Sequence, residues 1–276
     1  MKNQPYNKPL FTIVTVCFNS EKTIERTIKS VLSQTLKDYE YLIIDGASSD
    51  NTVEIIKKYE TLFEGRLRWL SEHDKGIYNA FNKGVRMATG QYVWLVNSDD
   101  YINPNALEVF ADNIAQYGTD VVYSAGTIMV DSNGVKLREY IYTEKDSLEE
   151  RMKNDSIAFV HPATIIPKEI YESIGYYDEE YKIMGDLDWS RKAWLSGVRF
   201  KFIDVFVTNM YNGGISGVPN FKKNKNDRIH YYSKFYRKPE SIHRFIIWVK
   251  RFLKDYLKYS LTKNENNIDN TEGLAV

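Results

Sequence analysis

Four short segments in the first hundred residues restrict the fold more than anything else in the chain. Phe11–Cys17 (FTIVTVC), Tyr39–Asp45 (YEYLIID), Leu67–Leu70 (LRWL) and Gln91–Asn97 (QYVWLVN) have strand length and carry β-branched and aromatic side chains. Between them, apolar residues recur at helical spacing. Ile24, Ile28, Val31 and Leu32 form one stripe, Val53, Ile56, Tyr59 and Phe63 a second, and Ile77 to Ala88 reads as a third helix. GASSDNT is a turn in which Asp50 can cap the helix that follows. Strands alternating with helices of this length predict βαβ units and a mainly parallel sheet.

After Pro104 the pattern changes. Ala106, Leu107, Phe110 and Ile114 predict a helix, with Asn103 as N-cap and Pro104 at its first position, where a missing N–H costs nothing. VVYSAGTIMVDSNGVKLREYIY reads as an antiparallel hairpin turning at Asp131-Ser132-Asn133-Gly134. A helix near Leu148, a strand at Ala158–Pro167, a helix around Asp186–Leu195 and two short strands, Val198–Ile203 and Val205–Tyr211, complete the pattern. A chain of 276 residues, 43% apolar, can build one sizeable core with appended pieces. Its one cysteine, Cys17, rules out a disulfide framework and fits a reducing compartment. The polar start MKNQPYNKPL is not a signal peptide.

The strand ends raise the functional question. Strand one leads to Phe18-Asn19, strand two to Asp45, strand three to Glu72-His73-Asp74-Lys75-Gly76, and strand four to Asn97-Ser98-Asp99-Asp100. In a parallel sheet these groups converge on the carboxyl edge, where open α/β sheets bind ligands. Asp and Asn also populate ordinary turns, and for Asp45 alone the two readings are balanced. Adjacent Asp99 and Asp100 are different. Like charges repel and burial is costly, so such a pair at the end of an apolar strand points to a divalent cation of the Mg²⁺ or Mn²⁺ class, which takes oxygen ligands and bridges to phosphates.

Several stretches together resemble the inverting glycosyltransferases of family 2, which have the GT-A fold. They are VTVCFNSEKTIERTIKSVLSQT, IIDGASSDNT, SEHDKGIYNAFNKGVRMATGQYVWLVNSDD, HPATIIPKEIYESIGYYDEEYKIMGDLDW and NGGISG, in the family's order over roughly residues 8–220. The bacterial branch that builds extracellular polysaccharides and O-antigens is the nearest match. The resemblance implies an α/β fold: a Rossmann-like nucleotide-binding half at 8–103, continuous with a mixed acceptor-binding half at 104–220. It implies that Asp45 and Asp74 hold the uracil and ribose of a nucleotide-sugar, UDP being the expected nucleotide. Asn19, Lys75, Gly76, Asn82, Asn97 and Ser98 would line the same site. Asp99 would be the main ligand of Mn²⁺ or Mg²⁺, with Asp100 and His161 as further ligand candidates; His161 reads equally well as a structural residue. Asp186 in GDLDW would be the catalytic base, or only a helix cap, with Gly185 standing where the family has Glu. Phe81 replaces an Arg common in the family, so Lys75 or Lys83 would take over a phosphate contact. NGGISG would be a mobile loop or a plain turn.

Net charge is zero, but Phe221 to Lys263 holds thirteen Lys/Arg against three Asp/Glu, leaving 24 basic and 34 acidic residues elsewhere. Within this tail (221–263), Ile242, Ile246, Val249, Leu253 and Tyr256 share a helical stripe widened by Phe245, Trp248 and Phe252. An interfacial membrane helix suits this pattern, as does a helix packed on protein; the longest apolar run, Phe245–Val249, cannot cross a bilayer. No nucleic-acid-binding motif accompanies the basic residues. Residues 264–276 are polar and expected to be disordered. The expected activity is metal-dependent sugar transfer to a saccharide or lipid-linked acceptor, in the cytoplasm or at the inner face of its membrane. A nucleotidyltransferase and a non-catalytic nucleotide- or sugar-binding protein are the rivals.

Overall fold

The structure, a computed structural model, describes residues 8–213, 221–237, 239–250 and 253. The chain divides into two compact units, Met1–Ile215 and Ser216–Val276, the boundary lying five residues before the expected one. The first unit is built on one nine-stranded sheet. Strands β1 (Phe11–Cys17), β2 (Tyr39–Asp45), β3 (Leu67–Ser71) and β4 (Tyr92–Leu95) alternate with helices α1 (Ile24–Leu32), α2 (Thr52–Glu60) and α3 (Ile77–Met87). They pair in parallel in the order β3-β2-β1-β4. Both β1 and β2 are buried along their whole length, which is why they are rich in apolar residues on both faces and show no strict polar–apolar alternation.

The remaining strands, β5 (Tyr101–Ile102), β6 (Val121–Val130), β7 (Lys136–Tyr140), β8 (Thr164–Pro167) and β9 (Arg199–Tyr211), continue the sheet in mixed orientation. Between them lie α4 (Ala106–Tyr117), α5 (Leu148–Lys153), α6 (Lys168–Ile174) and α7 (Gly185–Leu195). The expected β6–β7 hairpin forms, antiparallel and turning at Asp131–Gly134. In the second unit α8 spans Phe221–Phe235 and residues 240–250 are helical. No helix among the described residues is long and apolar enough to cross a membrane.

Three expectations need correction. Helix α4 starts at Ala106 after Asn105, not at Pro104. Asn103 instead extends the β5–β9 contact: its side chain donates to the Phe206 carbonyl at 2.8 Å and accepts from Asn209 at 2.9 Å. The strand foreseen at 158–167 is confined to Thr164–Pro167, because His161–Ala163 makes a 3-10 turn with Pro162 inside it. The two strands foreseen near the end of the sheet are one strand, β9. Ser124 pairs with Phe202 and Gly126 with Phe206, so three residues of β9 oppose one of β6, and this bulge broke the sequence pattern.

Polar clasps set the layers. Glu40 on β2 is buried; desolvation opposes its ionisation, but hydrogen bonds from Thr12, Thr89 and Arg68 outweigh that and hold the carboxyl below its usual range. Asp50 braces the start of α2, accepting from the Thr52 amide at 3.0 Å and from the Glu21 amide at 3.0 Å, but it stands one residue before the N-cap, which is Asn51 and not the expected Asp50. Glu25 joins α1 to α2 at the surface. It accepts from the Tyr59 hydroxyl at 2.5 Å and from Lys58 at 3.1 Å, and pairs with Lys29 at 3.4 Å.

Those donors, Tyr59 foremost, pull Glu25 down from 4.5 to about 2. A carboxyl depressed in the folded state contributes stability above its unfolded value and loses it as pH falls through the folded one. Glu25→Gln should therefore lower the urea midpoint at pH 7. The gap to wild type should close as pH falls from 4.5 to about 2. Urea titrations at pH 7, 4 and 3 check this; a gap independent of pH would mean that Glu25 acts by packing alone.

Candidate active site

Parallel pairing puts Cys17, Asp45 and Ser71 side by side, so the ends of β1, β2 and β3 open on one edge. β4 joins them through Val96, whose amide donates to Val14. Loop-to-loop bonds tighten this edge. Asn19, at φ 50°, donates its amide to Ser48 Oγ at 2.8 Å and accepts from the Ser49 amide at 2.9 Å. The Ser20 and Ser98 hydroxyls lie 2.8 Å apart.

Asp45 is fully buried. One carboxylate oxygen accepts from Ser48 Oγ at 2.5 Å and from the Cys17 thiol at 3.5 Å; the other accepts from the Ser48 amide at 3.0 Å and Ser71 Oγ at 2.6 Å. Burial and the nearby Asp45 carboxylate push the Cys17 thiol up, so it stays protonated and donates. Asp45 thus braces the loop that follows it. Asp74 is held at 2.6 Å by Lys83 Nζ, which also reaches Glu72 at 2.7 Å and the His73 carbonyl at 3.1 Å. Lys83 is therefore a brace for the 72–74 loop. Lys75 is exposed, and Gly76, at φ 142°, turns the chain into α3.

The acidic run behaves differently. Asp100 is buried and, among the described residues, receives the Tyr211 amide at 3.0 Å and the Asn97 side-chain amide at 3.3 Å. Burial, with Asp99 beside it, pushes its carboxyl up to about 8. Burial also raises Asp99, against the pull of its own backbone amide and of Arg26. Arg26 donates to the Asp99 carbonyl at 2.8 Å, and Thr27 to the Asp100 carbonyl at 2.6 Å, so α1 fixes the run by its backbone. Asn97 Oδ1 is buried with no hydrogen-bond partner among the described residues. Two under-satisfied carboxylates and an orphaned carbonyl oxygen make a donor set of hard oxygens, which fits Mg²⁺ or Mn²⁺. Asp99, Asp100 and His161 do not gather their ligand atoms within 4.8 Å of one another among the described residues, so His161 does not complete this set.

Asp186 sits in the first turn of α7, half-buried, and accepts from the Leu187 amide at 2.8 Å. Burial raises its carboxyl, against His161, its neighbouring amides and a hydrogen bond from Tyr78. His161 belongs to an aromatic cluster with Phe81, Phe159 and Tyr177; its Nε2 lies 3.3 Å from the Tyr177 hydroxyl, and burial lowers its pKa. Asn82 is 1% exposed and fully engaged. It donates to the Tyr177 carbonyl and to Glu179, both at 2.9 Å, and accepts from the Tyr177 amide at 3.0 Å. It clips the 177–179 loop to α3, so its side-chain amide is engaged within the chain. Sequence reasoning did not single out Tyr78, Tyr177, Glu179, Ser48 or Arg26. The i, i+4 spacing of Tyr78 and Asn82 on α3 was the one available signal for part of this set. Of NGGISG only Asn212 and Gly213 are described; the rest lies outside the described residues.

The sequence profile of glycosyl transferase family 2 matches residues 12–175. Chondroitin synthase of Escherichia coli is 36% identical over 38% of this chain and 15% of its own length. The Staphylococcus aureus poly(ribitol-phosphate) beta-N-acetylglucosaminyltransferase TarS is 27% identical over 70% of this chain and 34% of its own length. The chain thus spans about a third or less of these two relatives. A PGL/p-HBAD biosynthesis glycosyltransferase of Mycobacterium bovis is 25% identical over 75% of this chain and 79% of its own length. In fold, the chain is similar to crystalline Staphylococcus aureus TarS 1–349 in complex with UDP-GlcNAc, with a TM-score of 0.64 and 22% identity over 85% of this chain and 69% of that one. The mixed sheet with its parallel first half is the GT-A arrangement. With more than half of its length matched by the family profile and this fold, the chain belongs to glycosyl transferase family 2.

Proposed function

We propose that the chain transfers a sugar from a UDP-sugar to a hydroxyl of a saccharide or lipid-linked acceptor, inverting the anomeric centre, in bacterial cell-surface polysaccharide synthesis. The observation that carries this reading is the under-satisfied Asn97–Asp100 run on the same sheet edge as Asp45 and Asp74. The Asp45-braced loop and Asp74 form the wall for the nucleoside, with Asn19, Lys75, Gly76 and Ser98 along it. The family's Arg position is Phe81, which is buried, and Lys83 is engaged by Asp74, so Lys75 is the cation assigned to the diphosphate. Asp99, with Asn97 Oδ1 and Asp100, would hold a divalent cation, which when bound neutralises charge on the leaving diphosphate.

Asp186 takes the proton from the acceptor hydroxyl. The hydroxyl oxygen bonds to the anomeric carbon as that carbon's bond to the diphosphate oxygen breaks, and UDP leaves with the electron pair. Attack opposite the leaving group inverts the centre. The helical segment 240–250 exposes Ile242 by 52% and Ile246 by 48%, which supports contact with the inner face of the cytoplasmic membrane. Arg244 pairs with Glu240 at 3.0 Å, which weakens its contribution there. The stripe beyond 250, apart from Leu253, lies outside the described residues.

The deciding experiment follows UDP release from a panel of UDP-sugars, UDP-GlcNAc included, with Mn²⁺ and with chelator. Release of pyrophosphate instead would identify a nucleotidyltransferase. Asp99→Asn keeps the side chain's shape and should cut Mn²⁺-dependent UDP release by about 10²-fold or more while leaving the melting temperature near wild type. Normal turnover of that variant in excess chelator would refute the metal assignment.

Asp186→Asn should leave donor KM near wild type and lower kcat by about 10²–10⁴-fold. Because burial raises this carboxyl and a base works only when ionised, the acid limb of the wild-type pH–rate profile should lie above the ordinary Asp value of about 4. A variant with full kcat and weakened donor binding would move Asp186 from chemistry to binding.

Residues 241–262 should bind anionic vesicles of phosphatidylglycerol, through apolar insertion plus roughly 1 kcal/mol for each Lys/Arg near the surface. Only the electrostatic part is screened by salt, so co-sedimentation should weaken but persist as ionic strength rises. Replacing Phe245, Trp248 and Phe252 by Ser should abolish it and spare turnover of a soluble acceptor. Failure of the wild type to bind at low salt would assign the helix to protein packing.

A further inference from the structure

Gly185 stands where the family resemblance places a Glu beside the base, and the structure shows what fills that space. A Cβ on Gly185 would lie 2.7 Å from Cε1, 2.8 Å from Cδ1 and 2.8 Å from Cζ of Tyr78. Real Cβ atoms do not approach a ring so closely, so the Tyr78 ring and a side chain at 185 exclude each other. The ring is fixed from behind. It stacks on Tyr177 with centroids 5.7 Å apart at 29°, meets Phe81 edge-on at 6.0 Å, and is 5% exposed. Its Cζ, which carries the hydroxyl, lies 2.8 Å from that Cβ position, next to Asp186, and donation from the hydroxyl is among the influences that favour the Asp186 carboxylate.

We propose that Tyr78 is the positioning residue of Asp186: its ring occupies the space a side chain at 185 would need, and its hydroxyl fixes the carboxylate for attack on the acceptor proton. This rests on the reading of Asp186 as the base. The groups that face Asp186 are Tyr78 on α3, His161 in the turn before β8 and Tyr177 in the loop after α6. Burial disfavours the Asp186 carboxylate, while a donated hydrogen bond favours it. Tyr78→Phe keeps the ring and removes only the donor. It should therefore leave the backbone at Asp186 in place but release the carboxylate from its fixed orientation and make it harder to ionise. Gly185→Ala should act the same way from the other side, since its methyl group must push the ring and its hydroxyl aside.

The test uses the full chain with ¹³Cγ-labelled aspartate, the Asp186 resonance being the one missing in Asp186→Asn. Tyr78→Phe should raise the Asp186 titration midpoint by about one pH unit with a near-wild-type melting temperature. The acid limb of UDP release should move by the same amount, with donor KM near wild type and the alkaline plateau of kcat lowered, because an ionised but unfixed carboxylate is a poorer base. Gly185→Ala should give a similar shift and add nothing to it in the double variant. An unmoved midpoint in Tyr78→Phe overturns the proposal even if Gly185→Ala fails to fold. A moved midpoint with an unmoved acid limb keeps Tyr78 as the partner of Asp186 but overturns the base reading. Full transfer activity in Asp186→Asn overturns that reading directly.

Discussion

The contact of Gly84 with Val14 is the constraint on which the site depends. A Cβ at 84 would sit 2.3 Å from a Val14 methyl, so α3 lies directly against β1 only because that residue is glycine. Once seated, α3 reaches both halves of the site. Lys83 holds Asp74 and Glu72 in the loop before α3. Asn79 and Asn82 hold Glu179 and Tyr177 in the loop after α6, and Tyr78 lies against Gly185. One rigid helix thus sets the positions of Asp74 and Asp186 together. A side chain at 84 would cost about 1–3 kcal/mol in overpacking, and it would also shift every one of these links.

Aspartates on one sheet edge are put to opposite uses by how many donors surround them. Asp45 receives four hydrogen bonds from Ser48, Ser71 and Cys17. Asp100 receives two and has a second carboxylate next to it, and its carboxyl rises to about 8. The first arrangement is complete within the chain and shapes a loop. The second gains from any added positive charge, which is why a cation is assigned to Asp99 and Asp100 and not to Asp45.

The surroundings of Asp186, the proposed base, follow the same logic with aromatic rings. Tyr171, Tyr177, Tyr78, Phe81, Phe159, His161 and Trp189 pack around the start of α7. Burial among them raises the Asp186 carboxyl, while His161 and Tyr78 act in the opposite sense; the cluster is tied together by the His161–Tyr177 and Tyr171–Tyr177 contacts. Desolvation and donation pull in opposite directions, and a general base needs both within reach of neutral pH.

Local sequence determined a good deal. Periodicity gave the four parallel strands and three helices of the first half, because an unbroken β-branched run and a helical stripe have different periods. The polar strand ends located the edge where Asp45, Asp74 and Asp99 converge, and the contact of Asp50 with the start of α2 was legible because its partner, Thr52, is two residues away. Tertiary structure decided which polar groups are free to act. Asp45 bonds Ser71 across 26 residues, Asn82 bonds Tyr177 across 95 and Asn103 bonds Phe206 across 103. Nothing in the neighbourhood of Asn82 or Asn103 in the sequence shows that their amides are already engaged. The bulge that joined two expected strands into β9, and the ring that accounts for Gly185, are likewise set by distant partners. Side-chain period and capping are written by near neighbours, whereas hydrogen-bond saturation and steric exclusion are written by whatever the fold brings into contact.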